Sequence, residues 1–255
     1  MTLAIKVVDV SKHNGNVNWA ALKKEGVSGV IIRAGYGLII DPMWVSNYNG
    51  ALKNGLKIGV YWFAYPLSED GARKEADKLW SLIAGKRLEL GVWYDYEYDS
   101  TAYLKKNGIT ETRDLATRLI KAFCIQMKTH GVGCGVYLNR DYIQNHLNYS
   151  ELKGYPLWQA AWVTNGYTTF DAVSESGKPT AYGDITMWQF SKGQINGSAF
   201  DLNYYYGKTS VKPQNPDYAS LVCKKAGLEQ QTKDYINKYK WAGYLWEKLW
   251  KAMSK

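Results

Sequence analysis

The chain has 255 residues, 46% hydrophobic and 22% charged, which is enough apolar material for a sizeable core and excludes an intrinsically disordered chain. No stretch is apolar for long enough to span a membrane, and the N-terminal "MTLAIKVVDVSKHNG" lacks the apolar run of a secretory signal. The net charge of +9 favours polyanionic partners, and residues 212–255, with nine lysines against four acids, carry more than half of that excess.

The predicted elements alternate. "IKVVDV" (5–10) reads as a strand and "WAALKKEG" (19–26) as a short helix. "VSGVIIRAGYG" (27–37) is a strand and "WVSNYNGALKNG" (44–55) a helix. "LKIGVYWFAY" (56–65) is a strand and "EDGARKEADKLWSLIAG" (69–85) a helix. "LGVWYDYEY" (90–98) is a strand, and "ITETRDLATRLIKAFCIQMKTHG" (109–131) a long helix. "GCGVYLN" (133–139) is a strand, followed by a short helix near 140–147. The strand candidates 155–162, 184–191 and 199–207 then follow with little helix between them. Repeated strand–helix units imply a parallel sheet with helical crossovers. Eight strands in about 207 residues suggest an irregular TIM-like (β/α) barrel with helices missing in its last third. An open doubly wound sheet is the alternative, but no glycine fingerprint follows the first strand. Residues 1–208 form the barrel, the proline-bearing 209–215 a linker, and 216–255 a small α-helical C-terminal module.

The fourth strand region, with "WYDYEYDS" (93–100), places three acids at alternate positions. Side chains two apart share a strand face, about 6.6 Å apart along the backbone. Asp95, Glu97 and Asp99 are therefore expected on one face, with Tyr94, Tyr96 and Tyr98 on the other. Crowded carboxylates favour a proton on one of them, and a protonated carboxyl beside an ionised one suits acid-catalysed glycoside cleavage. A metal site or an exposed acidic strand end is the competing reading; Asp99 is read as a solvated cap. Asp9 in "VVDVS" and Asp201 in "FDLN" also end apolar strands, which would bring acids from three strands to one rim.

Several motifs now form a pattern. "VDVSKHNGNVNW", "IIRAGYG", a "DP" before a helix, "LKIGVYWFAYP", "VWYDYEY" and "MWQFSKGQINGSAFDLNYYYG" together resemble the family-25 glycoside hydrolases, lysozymes that cut peptidoglycan between N-acetylmuramic acid and N-acetylglucosamine. The resemblance covers about residues 4–207 and implies an eight-stranded barrel with helices missing in its last part. It implies Glu97 as general acid, Asp95 as the stabiliser of an oxocarbenium-like state or the orienter of the 2-acetamido group, and Asp9 and Asp201 as partners that tune them. The Asp-x-Glu arrangement also resembles enzymes whose substrate acetamide is the nucleophile. One departure is Trp62, where relatives commonly carry His; alternation with Tyr61 points it outward, where it alters packing more than chemistry.

Tyr61, Tyr137, Trp162 and Trp188 are candidate sugar-stacking residues, with core packing as the competing role for each. Arg33 has two readings, a contact to the lactyl or peptide part of the substrate or a structural ion pair. His13, His130 and His146 lack metal-ligand spacing and read as structural or surface residues. No metal or cofactor is expected. Cys124, Cys134 and Cys223 read as reduced, buried thiols. Trp246 and Trp250 share a helix face, read as wall-binding together with the tail lysines, against the alternatives of structural support for the barrel and of a homodimer contact.

A muramidase-like barrel, a basic tail and no signal sequence together resemble a phage endolysin, held in the host cytoplasm until release onto the wall. The expected partners are peptidoglycan and, through the tail, anionic wall polymers, with no role for nucleic acid or membrane. A non-catalytic cell-wall-binding protein that kept the cleft is the rival function, and the full set of acids argues against it.

Overall fold

The computed structural model describes residues 4–207, 218–239 and 242–253. The chain alternates through β1 (Ile5–Val10), α1 (Trp19–Lys24), β2 (Gly29–Tyr36), the two-residue β3 (Ile39–Ile40), α2 (Trp44–Lys53), β4 (Lys57–Phe63), α3 (Glu69–Ile83) and β5 (Gly91–Asp95). Helices α4 (Tyr98–Lys106) and α5 (Arg113–Thr129) lead to β6 (Cys134–Asn139). Then come β7 (Leu157–Ala160), β8 (Met187–Ile195), β9 (Ser198–Tyr205) and the tail helices α6 (Tyr218–Ala226), α7 (Gln230–Asn237) and α8 (Ala242–Met253).

Eight strands, all but β3, close into a barrel in the order β1-β9-β8-β7-β6-β5-β4-β2, and β1 pairs β2 to complete the ring. The expectation of an all-parallel sheet needs one correction. Strand β9 runs antiparallel to both β8 and β1. The reason is local: Asn196 and Gly197 both have positive φ, 51° and 78°. A two-residue turn with both φ positive suits a hairpin and cannot hold a crossover helix. Between β7 and β8 the described helices are single 3-10 turns, Phe170–Ala172 and Glu175–Gly177.

Period-two alternation sorts the strand side chains. Val7, Ile31, Tyr61, Trp93, Trp158 and Met187 fill the barrel interior, while Val8, Val30, Val60, Tyr94 and Val136 pack outward against the helices. Tyr94 stacks on Phe123 of α5 at 3.8 Å between centroids and donates its hydroxyl to the buried Glu75 of α3 at 2.7 Å. Trp62 is buried in the outer layer, as alternation required, and its Nε1 donates to the Gly37 carbonyl at 3.0 Å. Its ring lies so close to Gly35 that a Cβ there would stand 2.4 Å from it. The glycine is what lets the indole seat.

The tail helices share a small core of Ala219, Val222, Cys223, Ala242 and Trp246. Helix α8 packs on α3, and Gly243 sits against the Ala84 carbonyl with no room for a Cβ. That contact is at the rim where strands begin. Trp246 is 2% exposed, and its Nε1 donates to Asn237 Oδ1 at 2.8 Å. This corrects the expectation of an exposed wall-binding tryptophan: a small module needs its largest apolar side chain for its own core. Trp250 is half-buried beside it, with Lys225 over its ring. The linker expected at 209–215 lies outside the described residues. Among the described residues, no helix is long and apolar enough to cross a membrane, and Cys124, Cys134 and Cys223 are buried and free.

Candidate active site

At the rim where the parallel strands end, a cavity of about 370 Å³ is lined by Asp9, Asp95, Glu97, Asp99 and Asp201. Asp9 and Asp201 are register partners across β1 and β9, and Asp95 is the last residue of β5. The strand was expected to run to Tyr98 but ends three residues earlier. Glu97 is still extended, with φ −151°, yet it is the N-cap of α4, where its backbone N–H donates to Ser100 Oγ at 3.2 Å. Asp95 and Glu97 thus share a face as expected. Tyr94 and Tyr96 are buried on the other side. Tyr98 and Asp99 already belong to the helix. Tyr98 is 53% exposed and donates to Asp141 at 2.9 Å, so it does not continue the buried row. Asp99 is exposed but lines the cavity beside Glu97, which makes it more than the expected solvated cap.

Burial raises Asp9, Asp95, Glu97 and Asp201 alike, each against its own set of neighbours. Burial, then the charges of Asp99 and Asp201, push Glu97 up from 4.5 to about 7. Burial, then Glu97 and Asp9, raise Asp95 well above the carboxylate range, while Arg33 opposes them. Burial and then Asp201 raise Asp9, against hydrogen bonds from Asn203 and Gln189. Burial raises Asp201, and Lys192 opposes it. Such a site can hold a proton on one carboxyl near neutral pH beside a carboxylate, the requirement for cleaving an acetal.

Two amides missed in the sequence organise the site. Gln189 Nε2 donates to Asp9 Oδ2 at 3.0 Å, and its Oε1 accepts from Tyr137 Oη at 2.9 Å and Trp162 Nε1 at 3.0 Å. Asn203 Nδ2 donates to the same Asp9 oxygen at 2.9 Å, and its Oδ1 accepts from Trp158 Nε1 at 2.8 Å. Trp158 in turn closes the barrel beneath the cavity, edge-on to Tyr61 and Tyr137. A bulge between Gln189 and Ser191 shifts the parity of β8, so Gln189 and Lys192, three apart, both face the cavity.

Of the expected sugar-contacting residues, Tyr61 and Tyr137 line the cavity. Trp162 is 42% exposed on the rim and reaches the site through Gln189. Trp188 does not belong to the site. It is 2% exposed in the outer core, and its Nε1 donates to the Ala161 carbonyl at 2.8 Å; its neighbour Gln189 takes the inward position. Arg33 lines the cavity, and its Nε donates to the buried Asp41 at 2.7 Å. His13 also lines it, while His130 pairs with Asp77 and His146 with Glu111.

The family model "Glycosyl hydrolases family 25" matches residues 8–198. The chain is 27% identical over 234 residues to the autolytic lysozyme of Clostridium acetobutylicum, covering 88% of this chain and 67% of that protein. It superposes on the modular autolysin LytC of Streptococcus pneumoniae with a TM-score of 0.65 at 25% identity, covering 80% of this chain but only 47% of LytC. It superposes on the CTP1L endolysin with a TM-score of 0.61 at 25% identity, covering 88% and 80%. The chain therefore spans about half the length of LytC and two thirds of the autolytic lysozyme. With an acid-lined cavity at the rim of an eight-stranded barrel and a family match over three quarters of its length, this chain belongs to glycosyl hydrolase family 25.

Proposed function

We propose that the protein is a peptidoglycan hydrolase, a 1,4-β-N-acetylmuramidase that cleaves the bond between N-acetylmuramic acid and N-acetylglucosamine. The observation that carries this reading is the single cavity that gathers Asp9, Asp95, Glu97 and Asp201 at the barrel rim, where burial and the charges of Asp99 and Asp201 raise Glu97 to about 7. Glu97, protonated below about pH 7, donates its proton to the leaving glycosidic oxygen. Asp95, held 7% exposed on the cavity floor, faces the sugar carbon as positive charge develops, or orients the 2-acetamido group. Asp9 is fixed by two amide donors and, with Asp201, sets the negative potential of the rim. Tyr61, Tyr137 and Trp162 offer rings for sugar faces. A relative supports the substrate class: LytC was crystallised with a synthetic peptidoglycan ligand.

In the same reading, residues 1–208 form the catalytic unit and 216–255 a helical module that docks on it. The module's lysines attract anionic wall polymers. The surface for this attachment is not Trp246. Among the module's described residues, Tyr235, Tyr239 and Tyr244 present large aromatic side chains to solvent, 77%, 57% and 39% exposed. The reading extends to an endolysin acting on the bacterial wall. Incubation with purified peptidoglycan tests it: new reducing sugar ends should appear with the parent protein and not with Glu97→Gln. Solubilisation of walls by both proteins alike would refute it.

A further inference from the structure

Glu97 sits outside the hydrogen-bonded ladder of the barrel. Strand β5 pairs with its neighbours up to Asp95, and α4 begins at Tyr98, so Tyr96 and Glu97 form a two-residue link between strand and helix. A reacting group on such a link has to be held from elsewhere, because a misplacement of about 1 Å can cost about 10²-fold in rate.

The groups that hold it lie behind the strand. Tyr96, buried, donates its hydroxyl to Glu111 Oε2 at 2.8 Å. Tyr98 donates its hydroxyl to Asp141 Oδ2 at 2.9 Å. One ring joins the two carboxylates: His146 Nδ1 lies 2.8 Å from Glu111 Oε1, and its Nε2 lies 3.3 Å from Asp141 Oδ2. Glu111 Oε2 also accepts from Thr101 Oγ1 at 2.6 Å, and the Thr101 backbone N–H donates to the Glu97 carbonyl at 3.2 Å. The tethers therefore land on the residue before Glu97, on the residue after it and on the first turn of the helix it caps.

Glu111 comes from the loop between α4 and α5, whereas Asp141 and His146 follow β6. Residues Tyr142–His146 form a π-helical turn, a rare geometry that recurs at functional sites. Within it the His146 ring stacks on Tyr142 at 4.3 Å between centroids, and Tyr142 stands edge-on to both Tyr96 and Tyr98. None of Tyr96, Tyr98, Glu111, Asp141 and His146 lines the acid cavity. The cluster can act on the reaction only through the segment it holds.

We propose that His146, by joining Glu111 to Asp141, is a positioning residue that fixes the Tyr96–Tyr98 segment and so holds Glu97 in place at the cavity. The proposal rests on the reading of Glu97 as the general acid. His146 lines a separate cavity of about 510 Å³ with Glu111, Arg113 and Asn145, so removal of its ring leaves a space that free imidazole can enter.

The test measures kcat and KM on soluble peptidoglycan glycan fragments for the parent, His146→Ala and Tyr98→Phe, with and without imidazole. In His146→Ala, kcat should fall by about tenfold while KM stays within about twofold. Imidazole should restore kcat to within about threefold of the parent in His146→Ala and leave the parent unchanged. Tyr98→Phe loses only a hydroxyl at an exposed position; its kcat should fall by about threefold and not respond to imidazole. An unmoved kcat in folded His146→Ala, a loss carried entirely by KM, or a loss of kcat that imidazole leaves in place overturns the proposal. If His146→Ala does not fold, an unmoved kcat in Tyr98→Phe overturns it instead. Full activity of Glu97→Gln would mark failure of the underlying acid assignment, separately from either result.

Discussion

Replacing Glu97 by Gln should remove activity and add stability, an outcome that damage to the fold cannot imitate. Burial and the charges of Asp99 and Asp201 lift the folded-state pKa from 4.5 to about 7. At about 1.4 kcal/mol per pH unit, that rise corresponds to about 3 kcal/mol. Glu97 is partly exposed, so solvent screening reduces the figure to about 1–2 kcal/mol. The folded protein binds this proton more tightly than the unfolded chain does. The contribution is fully present below the unfolded value of 4.5 and is lost as pH rises through about 7. The amide never ionises, so at pH 8 the variant avoids the cost of a buried carboxylate. Its Tm should exceed the parent's by about 2–6 °C there, and the difference should close near pH 4. Turnover should fall by about 10²–10⁴-fold, because the amide keeps the shape and cannot donate the proton. Thermal melts at both pH values, alongside reducing-end release, decide the matter. A variant less stable than the parent at pH 8 would refute the electrostatic reasoning, and one with near-parental turnover would remove Glu97 as the acid.

Asp99→Asn removes the first of the charges that hold the proton on Glu97, so the alkaline limb of kcat should move to lower pH while the maximum stays within about threefold; a fixed alkaline limb would separate Asp99 from the site. Gln189→Leu deletes the bonds to Asp9, Tyr137 and Trp162 and should lower kcat/KM by about 10- to 100-fold with a stability loss of about 1–3 kcal/mol; parental kinetics would show that the amide only fills space. Gly243→Val drives a branched side chain into the Ala84 carbonyl and should free α8 from α3. The tail would then be cut faster by protease, with turnover of soluble substrate kept. Cleavage at the parental rate would contradict the docked arrangement.

Much of the barrel was legible because its strands and helices differ in period and most helices close with glycine. The failures have physical causes. Helix α4 was missed: the Asp95–Glu97 alternation carried the strand reading on to Tyr98 and residues 99–108 received no element, whereas Ser100 captures the Glu97 N–H and turns the chain into the helix. The antiparallel β9 was announced by Asn196-Gly197, a hairpin signal passed over in favour of the repeating crossover pattern. Trp188 and Trp246 show that tryptophan marks a large apolar surface without saying which side buries it. For Trp188, period two would have helped, since the polar Gln189 beside it had to face the other way. Asn203 shares parity with Asp201 and was recoverable on the same ground. The inward turn of Lys192 was not, because it depends on a bulge after Gln189 that leaves no trace in composition.

The bond cut is the centre of the proposed function, and mass spectrometry of the soluble fragments released from purified peptidoglycan reads it directly. Digestion by the parent protein should yield disaccharide peptides with N-acetylmuramic acid at the reducing end, absent with Glu97→Gln. Fragments ending in reducing N-acetylglucosamine, or free peptides released from intact glycan strands, would contradict the assignment of this site as a muramidase.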